Sequence, residues 1–154
     1  MKLSEKFGAA RLPAMQQHVL DTARQFGITD MKMQDRTVNT RKVIAVAEFA
    51  RDQGELEAFR PLAMDAWWRH GRDLEDDAVL RDLAVQVGLD GDAAVAASRD
   101  RTYLDRIDAR REEAESIGVT GIPTFVIGNQ GMVGCQPYEL LEEFVVQVGG
   151  ARKK

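Results

Sequence analysis

Apolar positions recur at helical spacing over most of the chain and change to a strand rhythm only near its end. From Leu12 to Phe26, the residues Met15, Val19, Leu20, Ala23 and Phe26 share one face, Pro13 sits in the first turn and Gly27 supplies a stop. This predicts a helix. Ile28 to Met33 alternates apolar and polar residues and predicts a short extended segment. Asn39 or Thr40 can accept the free N–H groups that open a helix over 41–53, with Val43, Ile44, Ala47 and Ala50 as its buried face. A further helix over 56–70 carries Phe59, Leu62, Ala63, Ala66 and Trp67 inward, and Pro61 within it predicts a kink or a late start. Asp73 to Asp77 provides caps and first-turn acids for a helix over 78–87. Asp90 or Asp92 opens a short one ending at Ala97, and Asp100 opens a longer one to Ile117 with Leu104, Ile107 and Ala114 apolar. Leu3 to Phe7 reads as the end of a helix that stops at Gly8.

The helical period then ends. Gly118, Gly121 and Pro123 break the chain before the β-rich run Thr124 to Ile127, and glycines around Asn129 and Gln130 mark a turn. Met132 to Cys135 predicts the returning strand. With the turn centred between Asn129 and Gln130, Cys135 falls opposite Thr124 and beside Pro123. Pro137 stands at a plausible first helical position, followed by the apolar stripe of 138–148. The unit is strand, turn, strand, helix. The expected architecture is mostly α with a small β-hairpin, a helical region over 1–117 and a ββα unit over 118–150, packed as one domain.

Composition narrows the partners. With 154 residues and 44% hydrophobic content, one domain with a sizeable core is expected. The net charge of -4 points away from nucleic acid, and the closing Arg152-Lys153-Lys154 reads as a solvated tail. No apolar run approaches the ~20 residues that cross a bilayer. The first residues lack the features of a secretory leader, so a cytoplasmic protein is expected. The single cysteine excludes an internal disulfide framework, a two-cysteine redox centre and a cysteine-rich zinc site within this chain. His18 and His70 lack companions at ligand spacing, and no metal site is expected. Trp67 and Trp68 read as one core ring and one rim ring. The run Glu75-Asp76-Asp77 is a helix start rather than a cation loop, and Gly128 to Gly131 is a turn rather than a phosphate loop.

The segment from Ile117 to Pro137 resembles the DsbA-like thioredoxin-fold family, in particular its FrnE-like branch of dithiol-disulfide oxidoreductases and isomerases. Weaker likenesses at Asn39-Thr40, His70 to Leu74, Asp77 to Leu80 and Glu112 to Ala114 resemble the helical insert of that family. The resemblance implies that Pro123 is a cis-proline, that the backbone of Ile122 pairs with an extended substrate, and that Ile122, Pro123, Thr124 and Gly134 line the substrate groove. It also implies a strand, a Cys-x-x-Cys helix and a second strand ahead of Lys6, which this sequence does not contain. Val43-Ile44 stands where the family tends to carry alanine-histidine, and Cys135 replaces a usual alanine. The expectation is that fold and groove carry over and the dithiol reaction does not.

Cys135 is the candidate thiol. Near a helix start its thiolate would be favoured, and it could form a mixed disulfide with glutathione or a protein. The competing expectation is a buried small hydrophobe. Three functional readings follow. One is a non-catalytic interaction or scaffold protein, homodimeric through the exposed hairpin edge or by helix exchange, with a protein or peptide partner at the Pro123 loop. Another is a monothiol or glutathione-linked protein using Cys135. The third is a fragment of a FrnE-like disulfide oxidoreductase or isomerase.

Overall fold

A computed structural model describes residues 2–149. In chain order the described elements are α1 (Leu3–Phe7), α2 (Leu12–Gln25), α3 (Arg41–Asp52), α4 (Leu56–Trp68), α5 (Asp77–Gln86), α6 (Gly91–Ala97), α7 (Arg101–Ser116), β1 (Thr124–Ile127), β2 (Gln130–Val133) and α8 (Tyr138–Gln147). Mostly helical, with a small antiparallel sheet, the chain has the predicted fold class. It divides into two compact units between Asp108 and Ala109. That division lies inside α7, earlier than the predicted change at 117/118. The early turns of α7 pair with α3, since Arg41 grips Asp108 with both guanidinium nitrogens at 2.5 and 2.6 Å.

The core of the first unit lies among α3, α4, α5 and α6. Val43, Val46 and Ala50 meet Phe59, Ala63, Ala66 and Trp67, and Leu80, Leu83 and Ala94 close the cluster. Local chemistry sets the helix starts. Asn39 Oδ1 accepts from the Arg41 N–H at 3.0 Å, Asp76 from Ala78 at 2.8 Å and Asp90 from Ala93 at 2.9 Å. Gly91, the first residue of α6, is buried against α5, leaving space for a hydrogen but not for a methyl group.

Four expectations change here. Ile44 is 41% exposed, and Ala45 and Val46 are buried instead, because α3 packs against α4, α5 and α6 and the arc it buries is turned away from Ile44. Glu48 is also buried on this helix, 4% exposed, and is met by Arg51 at 3.3 Å and Arg106 at 3.4 Å. On α2, Leu12 and Ala23 are buried, whereas Met15, Val19 and, at the C-cap, Phe26 are exposed. Residues 28–33 form no strand: among the described residues no neighbouring strand pairs with them, and Lys32 N–H bonds the carbonyl of Trp68, at 2.6 Å. Finally, α4 begins at Leu56 and continues through Pro61, so there is no late start. Trp67 is buried and Trp68 half-buried, their rings edge to face at 6.3 Å.

Exposed ion pairs ring this unit. Arg106 bonds the Asp52 carboxyl at 2.8 Å and holds it below the ordinary carboxylate range, and Arg36 does the same to Asp73 at 2.7 Å. Arg99 and Lys42 act together on Asp77, and Arg69 on Asp30. A carboxylate whose pKa falls on folding stabilises the fold above its unfolded value, near 3.9, and that contribution disappears as the pH falls through the lower folded value. Denaturation midpoints should therefore be level between about pH 7 and 5 and decline below about pH 4. A midpoint that rose on acidification would contradict the pairing.

In the second unit, β1 and β2 pair as Thr124 with Val133, Phe125 with Met132, Val126 with Gly131 and Ile127 with Gln130. The predicted register was two residues too long. The turn holds only Gly128 and Asn129, with Gly128 at φ +61° in the first position, as a type II′ turn requires. That choice moves the returning strand to Gln130–Val133 and leaves Cys135 beyond its end. Between Ile117 and Pro137 no side chain carries a charge, in a chain that is 30% charged overall. Among the described residues the sheet has two strands, so each keeps one free edge.

Candidate functional site

The predicted groove residues Ile122, Pro123, Thr124 and Gly134 come together in the second unit. After α7, Gly118 at φ +80° turns the chain and Val119 N–H bonds back to the Ala114 carbonyl at 3.0 Å. The backbone then swings out to Ile122 and returns through Pro123 into β1. The Ile122–Pro123 peptide bond is cis. Ile122 is 92% exposed, an unusual position for so apolar a side chain, and among the described residues its N–H and C=O have no hydrogen-bond partner.

Three hydrogen bonds set the surroundings of this loop. Gly134 N–H donates to the Pro123 carbonyl at 2.8 Å, and Thr124 Oγ1 donates to the Gly121 carbonyl at 2.6 Å. Just beyond, the Gln136 side-chain amide donates to the Val133 carbonyl at 3.0 Å. Gly134 needs to be glycine: its φ is +96°, and a Cβ there would stand 3.2 Å from Gln136 Nε2. Sequence reasoning placed Thr124 in the groove but missed its bond to Gly121. A threonine three residues after a glycine in a loop is the available signal, since hydroxyls readily bond nearby backbone carbonyls.

Cys135 is exposed, not buried, and does not sit opposite Thr124. The shorter turn gives that place to Val133. It lies in the connection between β2 and α8, whose N-cap is Pro137 rather than its first helical residue. A single exposed thiol can enter a mixed disulfide but has no second thiol within the chain to release it by internal exchange. His18 and His70 are exposed and far from this loop in sequence, and among the described residues no cluster of ligating side chains could hold a metal ion.

Apolar surface surrounds the loop. One face of the hairpin, with Phe125 and Ile127, meets Leu141, Phe144 and Val145 of α8 around a hollow of about 410 Å³. The opposite face, with Val126 and Val133, forms a second hollow of about 440 Å³ with Ile117 and Val119, deepened where Gly131 has no side chain. Among the described residues no helix is long and apolar enough to cross a membrane.

A loop with a cis X-Pro bond leading into an antiparallel hairpin and a helix, after a helical region, corresponds to the C-terminal half of a thioredoxin-like fold following a helical insert. The chain belongs to the DSBA-like thioredoxin domain family, which it matches over residues 1–146. It superposes on a probable DsbA oxidoreductase from Streptomyces coelicolor with a TM-score of 0.81 and 27% identity, covering 99% of this chain and 67% of that one. It is 32% identical to a 2-hydroxychromene-2-carboxylate isomerase of Sphingobium xenophagum over 100 residues, 65% of this chain and 51% of the relative. It is 28% identical to the uncharacterized protein YwbO of Bacillus subtilis over 98 residues, 63% of this chain and 49% of the relative. The chain thus spans about half the length of the curated relatives it matches.

Proposed function

We propose that this chain supplies the substrate-holding part of a DsbA-like thiol-disulfide oxidoreductase or isomerase site. The observation that carries the proposal is Ile122, outward and with an unpaired backbone, in a loop fixed by Pro123, Thr124 and Gly134. An extended peptide can add to such a backbone as a strand adds to a sheet edge, with main-chain hydrogen bonds giving affinity. The uncharged run from Ile117 to Pro137 supports the same role, and its wording favours the FrnE-like branch of the family. Dithiol exchange requires two cysteines, and this chain has one, so its own part is to bind and orient.

Binding of fluorescently labelled, reduced and carboxymethylated α-lactalbumin, an unfolded chain with no free thiol, tests this. Ile122→Asp places a charge on the adding strand's path and should weaken binding about tenfold. Equal affinity for the two proteins, or no binding by either, would overturn the proposal.

A further inference from the structure

We infer that Thr124 is the positioning residue of this loop: its hydroxyl, by donating to the Gly121 carbonyl, holds the 121–123 backbone in the outward form that an incoming peptide needs. The inference rests on the substrate-holding role proposed above and assigns the group that sets it.

The segment leading to Ile122 is loosely specified by its own chemistry. Gly118 and Gly121 flank it and carry no side chain to restrict their backbone angles. The last backbone bond from the α7 side ends at Val119, and the first from the hairpin side reaches Pro123. Between them, among the described residues, the 2.6 Å contact from Thr124 Oγ1 is the only hydrogen bond to the backbone of residues 120–122. Thr124 is well placed to make it. It begins β1 and is paired with Val133, so its own backbone is set by the ladder. The β-branched side chain has few rotamers to lose in holding the bond. Nearby, Gly121 approaches Val133 closely enough that an added Cβ would sit 3.6 Å from Val133 Cγ1, so the loop lies against the hairpin at this point.

Removing the hydroxyl leaves the ladder intact but frees the Gly121 carbonyl, and the loop then spends part of its time in other forms. The apparent affinity falls by the fraction that remains competent. Thr124→Val keeps shape and strand propensity and removes only the donor. Its binding of the labelled α-lactalbumin probe should weaken about three- to tenfold, the range a single net hydrogen bond corresponds to, with the thermal midpoint lowered by no more than a few degrees. Thr124→Ser, which keeps the donor, should restore binding to within about twofold of the original protein.

Two results would overturn the inference while leaving the underlying role in place: Ile122→Asp weakens binding but Thr124→Val does not, or Thr124→Ser binds as weakly as Thr124→Val. If Ile122→Asp has no effect, the underlying role fails and this inference with it. Should Thr124→Val not fold, the comparison of Thr124→Ser with Thr124→Ala decides, because serine alone retains the hydroxyl.

Discussion

Replacing Phe59 with alanine is expected to remove about 3–5 kcal/mol from the stability of the helical unit. Phe59 is 0% exposed, on α4, within the cluster that joins α3, α4, α5 and α6. It is the largest fully buried side chain there, and no polar atom lies in the ring to be compensated by water. The cost has two parts: the lost transfer of the ring from water, and the cavity left between helices that can collapse only in part. Since whole domains have net stabilities of about 5–15 kcal/mol, the variant should be close to half unfolded at modest urea concentration. Urea titration followed by the fluorescence of Trp67, which belongs to the same cluster, and of Trp68, which packs against it, measures it directly. Phe59→Leu, which refills most of the space, should lose far less. A Phe59→Ala midpoint within experimental error of the original would mean that this cluster is not the core.

Gly91→Ala is expected to cost about 1–3 kcal/mol, although alanine favours a helix over glycine by roughly 1 kcal/mol. The added Cβ would stand 2.5 Å from Arg81 Cγ, 3.1 Å from the Arg81 carbonyl oxygen and 3.1 Å from Val85 Cγ2. Arg81 is not free to swing aside at no cost, because its guanidinium holds Asp92 through two nitrogens at 2.9 and 2.5 Å. The backbone oxygen cannot move without shifting α5. Crowding therefore outweighs propensity, and α5 and α6 must separate. Thermal denaturation of Gly91→Ala against Gly121→Ala provides the contrast, since a Cβ at Gly121 meets only Val133 Cγ1 at an ordinary 3.6 Å. A Gly91→Ala protein more stable than the original would contradict the close approach.

Much of this architecture was legible because the chain announces it locally. Gly27, Gly54, Gly88 and Gly118 follow helices and adopt positive φ, and Asp76 and Asp90 accept the N–H bonds that their positions suggest. Periodicity also picked out Phe59, Ala63, Ala66 and Trp67. What periodicity cannot carry is the identity of the neighbour. Ile44 and Val46 are equally apolar, and only the placement of α4, α5 and α6 around α3 decides which is buried. The burial of Glu48 was invisible for the same reason, since besides Arg51 on its own helix its partner Arg106 lies 58 residues away. The hairpin register failed on one turn. Two glycines flank Asn129-Gln130, and choosing Gly128 as a turn residue instead of a flank shifts every pairing by two, which is what moved Cys135 away from Thr124. At the candidate site, Ile122, Thr124 and Gly134 were named through the likeness of their segment to a family, whereas the Thr124 to Gly121 bond needed coordinates.

The uncharged run from Ile117 to Pro137 has a further consequence for selectivity. Discrimination between partners depends on penalties against the wrong one as much as on attraction to the right one, and charges are the usual source of such penalties. In the proposed substrate-holding role, an incoming segment would meet carbonyls, amide hydrogens and apolar side chains along this run, with the nearest charges in sequence outside it on α7 and α8. In that role, recognition would read backbone shape more than side-chain identity, and the loop would tolerate many sequences.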